Sequence, residues 1–183
     1  MTATPNRVHQ ALGALEGASA LDPAAEAVGG VVRSALPDGS GRRDLLHGAW
    51  LGHPLHPLLT DLVIGTWTSA LLLDLAGGRH ARPAADRLLA AGLASYPPTA
   101  LTGVSDWSGA EAGDPAVRRV GLVHAASNSV ALGLQLQSLR SRRRGNRARG
   151  VALSLAANAT LGLAGYLGGH MSYVQGVGVE RPG

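Results

Sequence analysis

Two histidines, each followed by proline, stand in the stretch GHPLHPLLTDLVIG (Gly52 to Gly65), directly before an apolar run. Imidazole can ligate a metal or haem, or relay a proton, near neutral pH. His53 and His56 are therefore the first candidates for chemistry, and topology brings His124 and His170 into the same group. Haem b with paired histidine ligands from His53, His56, His124 and His170 is one expectation. A transition-metal site built from His53, His56, Asp61, Asp106 and His124 is the other. The competing reading is structural, with His56 capping a helix and His53 serving as a turn residue. Because each histidine precedes a proline, neither is expected inside a regular helix, and Pro57 is expected at the first helical position. There is no Cys, which excludes disulfides, thiol catalysis and a cysteine-ligated iron–sulfur cluster.

These side chains need elements to position them. Four segments approach the roughly 20 mostly uncharged residues that cross a bilayer: 58–76, 88–105, 120–139 and 151–173. All are rich in Ala, Gly, Ser and Thr, as suits helices packed closely in lipid. The expected fold is all-α: an antiparallel, up-down four-helix membrane bundle at 45–179, with a tail at 180–183. Residues 1–44 read as an amphipathic helical lead-in, two short helices broken near Asp22-Pro23 and ending at Pro37-Asp38-Gly39. The lead-in lacks the basic start and long apolar core of a signal peptide and is expected to pack at the membrane end of the bundle.

All sixteen basic residues are Arg, and six lie between Arg140 and Arg149 in a short connection. This arrangement suits membrane topology and not nucleic acid, which is not an expected partner. The Arg-rich connections around 79–87 and 140–149 fall on one side, expected to be cytoplasmic, with the termini outside. The Arg140–Arg149 cluster reads as a topology anchor on anionic headgroups. The composition, rich in Ala, Gly and Leu, suggests a GC-rich bacterial genome, hence a multi-pass protein of a bacterial cell membrane.

Antiparallel connectivity gathers His53, His56, Asp61, Asp106, His124 and His170 at one end of the bundle, whichever side is cytoplasmic. On the third span His124, Asn128 and Gln135 fall within about 40° of one another. With Asn158 on the fourth, Asn128 and Gln135 read as structural polar residues, hydrogen-bonded between helices. Tyr96-Pro97-Pro98 should kink the second span, with Thr99 and Thr102 helping to satisfy the freed carbonyls. At the Arg-rich end Asp74 is expected to pair with Arg87. No internal repeat is evident.

The motifs LLHGAWLGHPLHPLLTDLVIGTWTSALLLDLAGG, SDW, RRVGLVHAASN and GYLGGHMSYVQGVGV together resemble the domain of unknown function 2231, a family of predicted four-helix bacterial membrane proteins. The resemblance runs from about Asp44 to Val179, and the matching positions include His53, His56, Asp61, Asp74, Asp106, His124 and Asn128. Some similar proteins continue into a Rieske-type ferredoxin module, which a chain without Cys cannot carry itself. The resemblance thus implies membrane residence and hints at electron transfer with a Rieske ferredoxin or other redox partner. Three functions follow as expectations: a redox, haem or metal module; a non-catalytic membrane scaffold whose His and Asp residues are structural; and, with less support, a small transporter or proton conduit using Asp61 and His124. Whether a reaction is catalysed is left open, and self-association is compatible with all three.

Overall fold

The computed structural model describes residues 7–178, and all regular structure among them is helical. The expected tail at 180–183 lies outside the described residues. Short helices come first: α1 (Arg7–Glu16), a single turn at Ser19–Leu21, α2 (Asp22–Ala35) and α3 (Gly41–His47). Pro23 sits in the first turn of α2, where its missing N–H is not needed. Gly48 ends α3 with φ 95°, and a Cβ there would lie 2.5 Å from the carbonyl oxygen of His53. Both facts demand glycine where the chain turns towards the HPLHP motif.

Four long helices follow: α4 (Leu55–Ala76), α5 (Arg82–Ala110), α6 (Pro115–Arg143) and α7 (Arg147–Tyr173). Asp114 caps α6 by accepting from the Ala116 N–H at 2.8 Å, and Pro115 takes the first helical position. Pro54, not His56, occupies the cap position of α4, so His56 lies inside the first helical turn. This corrects the expectation drawn from Pro57. A proline ring clashes with the carbonyl four residues earlier, and for Pro57 that residue is His53, which is outside the helix. Pro97 and Pro98 likewise lie within a continuous α5. The hydroxyl of Thr99 donates to the Ser95 carbonyl at 2.8 Å, close to the break in the ladder.

α4 packs mainly against α5, and α6 mainly against α7, with fewer contacts between the two hairpins. The two hairpins repeat one another. Residue by residue, the alternation of buried and exposed positions over 55–70 recurs over 123–138, and that of α5 recurs closely in α7. His56 thereby corresponds to His124, Trp67 to Gln135, Asp74 to Arg142, Thr99 to Ala164 and Gly103 to Gly168. The repeat escaped the residue types because buried equivalents such as Trp67 and Gln135 differ in chemistry. Both hairpins run in the same sense, as in parallel membrane repeats.

The middle of the long helices buries Val63, Trp67, Ala70, Leu89, Ala131 and Leu161, with Trp67 stacked on Tyr96 at a centroid distance of 5.9 Å. A second core at one end joins Leu12 of α1 to Trp107, Val117, Val120, Leu167 and Met171. At the other end the side chain of Arg142 is 1 % exposed and meets the fully buried carboxylate of Asp74 at 2.5 Å. Arg142 also donates to Asp86 and Ser154, both at 3.0 Å, and Arg147 pairs with Asp74 and Asp86. In place of the expected partner, Arg87, Asp74 meets two arginines that flank the α6–α7 turn, Arg142 at the end of α6 and Arg147 at the start of α7. They reach Asp74 because the fold brings the end of α4 beside that turn, a proximity that local spacing does not reveal.

Two helices among the described residues, α4 and α7, are long and apolar enough to cross a membrane. The other two expected spans fall within α5 and α6, which reach 29 residues each but carry polar groups along their lengths. If Arg142 and Arg147 rather than Arg87 hold Asp74, Asp74→Ala should lower stability by about 3–5 kcal/mol, because it removes the buried carboxylate that both guanidinium groups share and leaves them only the half-exposed Asp86. Arg87→Ala, at an exposed position, should change it by less than about 0.5 kcal/mol. Denaturant unfolding in detergent compares the two, and equal losses would reinstate Arg87 as the partner.

Candidate functional site

The end of the long helices opposite Arg142 holds the residues that sequence reasoning gathered. His56, in the first turn of α4, donates its Nδ1–H to the Thr99 carbonyl of α5 at 3.0 Å, and its Nε2 lies 3.4 Å from the Thr60 hydroxyl. His124, one turn further into α6 than Val120, donates Nδ1–H to the Ala164 carbonyl of α7 at 2.8 Å. Its Nε2 accepts from the Asn128 amide at 3.1 Å. The same device therefore appears in both hairpins. Glycine admits each ring: a Cβ at Gly103 would lie 2.6 Å from His56 Cε1, and one at Gly168 would lie 3.1 Å from His124 Cε1. Each imidazole is a strut joining the two helices of its hairpin.

The other candidates do not join them. His53 and Asp61 are exposed. Asp106 is nearly buried and accepts from His47 Nδ1 at 2.7 Å. His170 donates from Nε2 to Glu16 of α1 at 2.8 Å, and Gln175 donates to the same oxygen at 2.9 Å. Among the described residues, no three His, Asp or Glu side chains are placed to hold a metal ion. The expected cluster of His53, His56, Asp61, Asp106, His124 and His170 is thus dispersed: His56, Asp106, His124 and His170 each bond to a different group, and His53 and Asp61 are exposed. Helix direction decides which end a residue lies at, but only rotation about each helix axis decides which way it faces. Asp61 shows this: it lies one turn beyond Pro57 yet points away from the neighbouring helices.

Two groups that sequence reasoning missed organise this end. His47 was overlooked because it lies before the apolar run. Glu111, wholly buried, is paired with Arg33 of α2 and with Arg118 Nε at 3.1 Å. Its signal was a carboxylate in the α5–α6 connection opposite an arginine of the lead-in. Arg118 also pairs with Glu26, and Arg119 grips Asp22 with Nε at 2.6 Å and a second nitrogen at 2.7 Å. The lead-in is thereby latched across the start of α6 and the end of α5. Of the polar residues deeper in, Gln135 accepts from Ser154 of α7 at 2.9 Å, and Asn158 accepts from Thr68 of α4 at 3.3 Å. Asn128 instead bonds back along its own helix to His124.

An all-helical chain with two apolar helices of membrane length and polar pairs at both helix ends has the character of an integral membrane protein. The chain belongs to the DUF2231 family, described as a predicted membrane protein, whose profile matches residues 52–181. No curated protein and no solved structure matches the chain. Membership implies a lipid environment and names no reaction.

If the rings are struts, His56→Ala should cost about 1–3 kcal/mol by leaving the Thr99 carbonyl with one partner fewer. Gly103→Val should cost a similar amount, roughly 1–3 kcal/mol, by expelling the ring. Thermal unfolding of the two single variants and the double variant reads the coupling, and strictly additive losses would dissociate the glycine from the histidine. The latch has its own pH dependence. Hydrogen bonding to Arg119 holds Asp22 below its ordinary 3.8, and hydrogen bonding to Arg33, with Arg118 beside it, holds Glu26 below 4.5. Depressed carboxylate values stabilise the folded state above the ordinary values and lose that effect as pH falls through the folded ones. Acidification below pH 4.5 should therefore release the lead-in to proteolysis before the long helices melt. Cleavage within α2 that is unchanged down to complete unfolding would contradict this.

Proposed function

We propose that this protein is a multi-pass membrane scaffold whose four long helices cross the bilayer as an antiparallel bundle at 45–179, with 1–44 as a lead-in docked on one end. The observation that carries the membrane reading is where the apolar surface lies. Only 22 % of the most apolar window of α4 and 33 % of that of α7 is buried, whereas a core helix of a soluble protein buries most of its own. Leu58, Leu62, Leu72, Leu75, Leu155 and Leu163 are exposed instead, as lipid contact requires. α5 and α6, at 29 residues, are each roughly 43 Å long and also reach across a bilayer. Gln135 and Ser138 of α6 bond to α7, and the Thr99 hydroxyl of α5 lies 3.3 Å from the Leu59 carbonyl of α4, which suits interior positions. The positive-inside rule, applied to the arginines at 79–87 and 140–149, supports a cytoplasmic side for those turns and an outer side for the lead-in, in a bacterial cell membrane.

The scaffold reading rests on the saturation of the histidines. Both nitrogens of His56 and His124 have partners, and His47 and His170 are paired with carboxylates. A second reading is favoured by the equivalence of His56 and His124. An Nδ1–H fixed on a carbonyl is also how ligating histidines are oriented, and the Nε2 partners Thr60 and Asn128 are side chains that can swing away. In that reading the pair holds a haem b, and the outer end meets a Rieske ferredoxin or another redox partner.

The native absence of Cys makes single-cysteine mapping clean. With four spans, Arg79→Cys and Arg144→Cys should be labelled by an impermeant maleimide only from inside, and Gly113→Cys only from outside. Gly113→Cys labelled from the same side as the other two would reduce the spans to α4 and α7. Haemin titration of the purified protein separates scaffold from cofactor. The scaffold predicts no saturable Soret band. A stoichiometric band lost in both His56→Ala and His124→Ala would overturn it.

A further inference from the structure

The six arginines between Arg140 and Arg149 are not equivalent. Arg142 and Arg147 are neutralised by Asp74 and Asp86. Arg140, Arg144 and Arg149 have no carboxylate partner among the described residues. These three line one recess of about 270 Å³ together with Gln137, Ser141 and Asn146, where the last turns of α6 meet the first turn of α7. Three guanidinium groups around one recess repel one another, and no acidic side chain lines it. Planar guanidinium forks are the protein groups that best match the oxygens of a phosphate. Gln137 and Ser141 add neutral donors, and the positive end of the 27-residue helix α7 adjoins them.

We propose that this recess binds a phosphate oxyanion, carried by an anionic lipid headgroup or presented as free phosphate. A water molecule's share of liquid volume is about 30 Å³, so the recess admits a phosphate together with part of the group esterified to it. Its place at the arginine-rich helix ends is where headgroups lie if the long helices span the bilayer. The lipid source therefore rests on the membrane reading, while the free-phosphate source does not.

The test uses the full-length protein in neutral detergent at constant ionic strength. Calorimetric titration with inorganic phosphate forms one arm, and titration with short-chain phosphatidylglycerol, against phosphatidylcholine as the neutral control, forms the other. The triple variant Arg140→Gln, Arg144→Gln, Arg149→Gln should lose at least about tenfold in affinity for whichever probe binds. The single variant Arg144→Gln should show a smaller loss in the same direction, and it serves if the triple variant unfolds. Removing three charges at the same end but outside the recess, with Arg79→Gln, Arg87→Gln and Arg143→Gln, should cost less than about threefold. Phosphatidylglycerol binding without phosphate binding assigns the lipid, and equal binding of both assigns the free anion. Equal losses in the two triple variants, or binding of neither probe, would overturn the site. Because the phosphate arm needs no bilayer, failure of the cysteine mapping and failure of the recess remain separable.

Discussion

The guanidinium of Arg142, withdrawn from water, is the constraint around which the helices are arranged. A buried charge is tolerated only with a partner and with its remaining donors satisfied. Arg142 meets that demand by drawing on every long helix: Asp74 from α4, Asp86 from α5, Ser138 of its own helix at 3.0 Å, and Ser154 of α7. Ser138 in turn donates to the Gly150 carbonyl at 2.7 Å. A Cβ at Gly150 would lie 2.6 Å from the Arg142 side chain, so glycine is required for the guanidinium stem to pass. One ionic requirement thereby sets the mutual rotation of the four helices at this end. The positions of their other faces follow from it.

The opposite end is held by weaker, more numerous links. One imidazole strut clamps each hairpin internally, and the lead-in adds ion pairs over the top through Glu111, Glu26, Asp22 and Glu16. Exposed pairs of this kind contribute little individually, but the wholly buried Glu111 is different in kind. Its carboxylate needs Arg33 and Arg118, and Arg33 belongs to the lead-in. α2 is therefore part of the electrostatic balance of the long helices and not an appendage.

Much of this was legible in residue types, and the limits have physical causes. Helical class and membrane character follow from composition and length, although four spans are expected where two helices among the described residues are long and apolar enough to cross a membrane. Rotation about each axis does not follow from them, because α4 is apolar nearly all round and gives no stripe to orient Asp61. The partner of Asp74 was misread for a related reason: Arg87 is nearer in sequence, while Arg142 and Arg147 are nearer in space. His124 with Asn128 was recognisable as a polar stripe, but whether it spoke to a ligand or to a neighbouring carbonyl depended on Gly168 letting α7 approach.

The repeat explains why the two hairpins look unalike while packing alike. Equivalent positions have taken complementary roles. Asp74 and Arg142 occupy the same place in their hairpins and pair with each other. Trp67 fills the core where its counterpart Gln135 bonds to Ser154. α6 carries more polar residues than α4, while the burial register over 55–70 and 123–138 is the same. Leu58, Leu62, Leu72 and Leu75 of α4 stay exposed, and Gln135 and Ser138 of α6 are matched by α7. The low apparent hydrophobicity of α6 is thus the counterpart of its interior bonding. His56 and His124, with Gly103 and Gly168 that admit their rings, keep both residue type and role, which marks the interhelical strut as an element that both hairpins require.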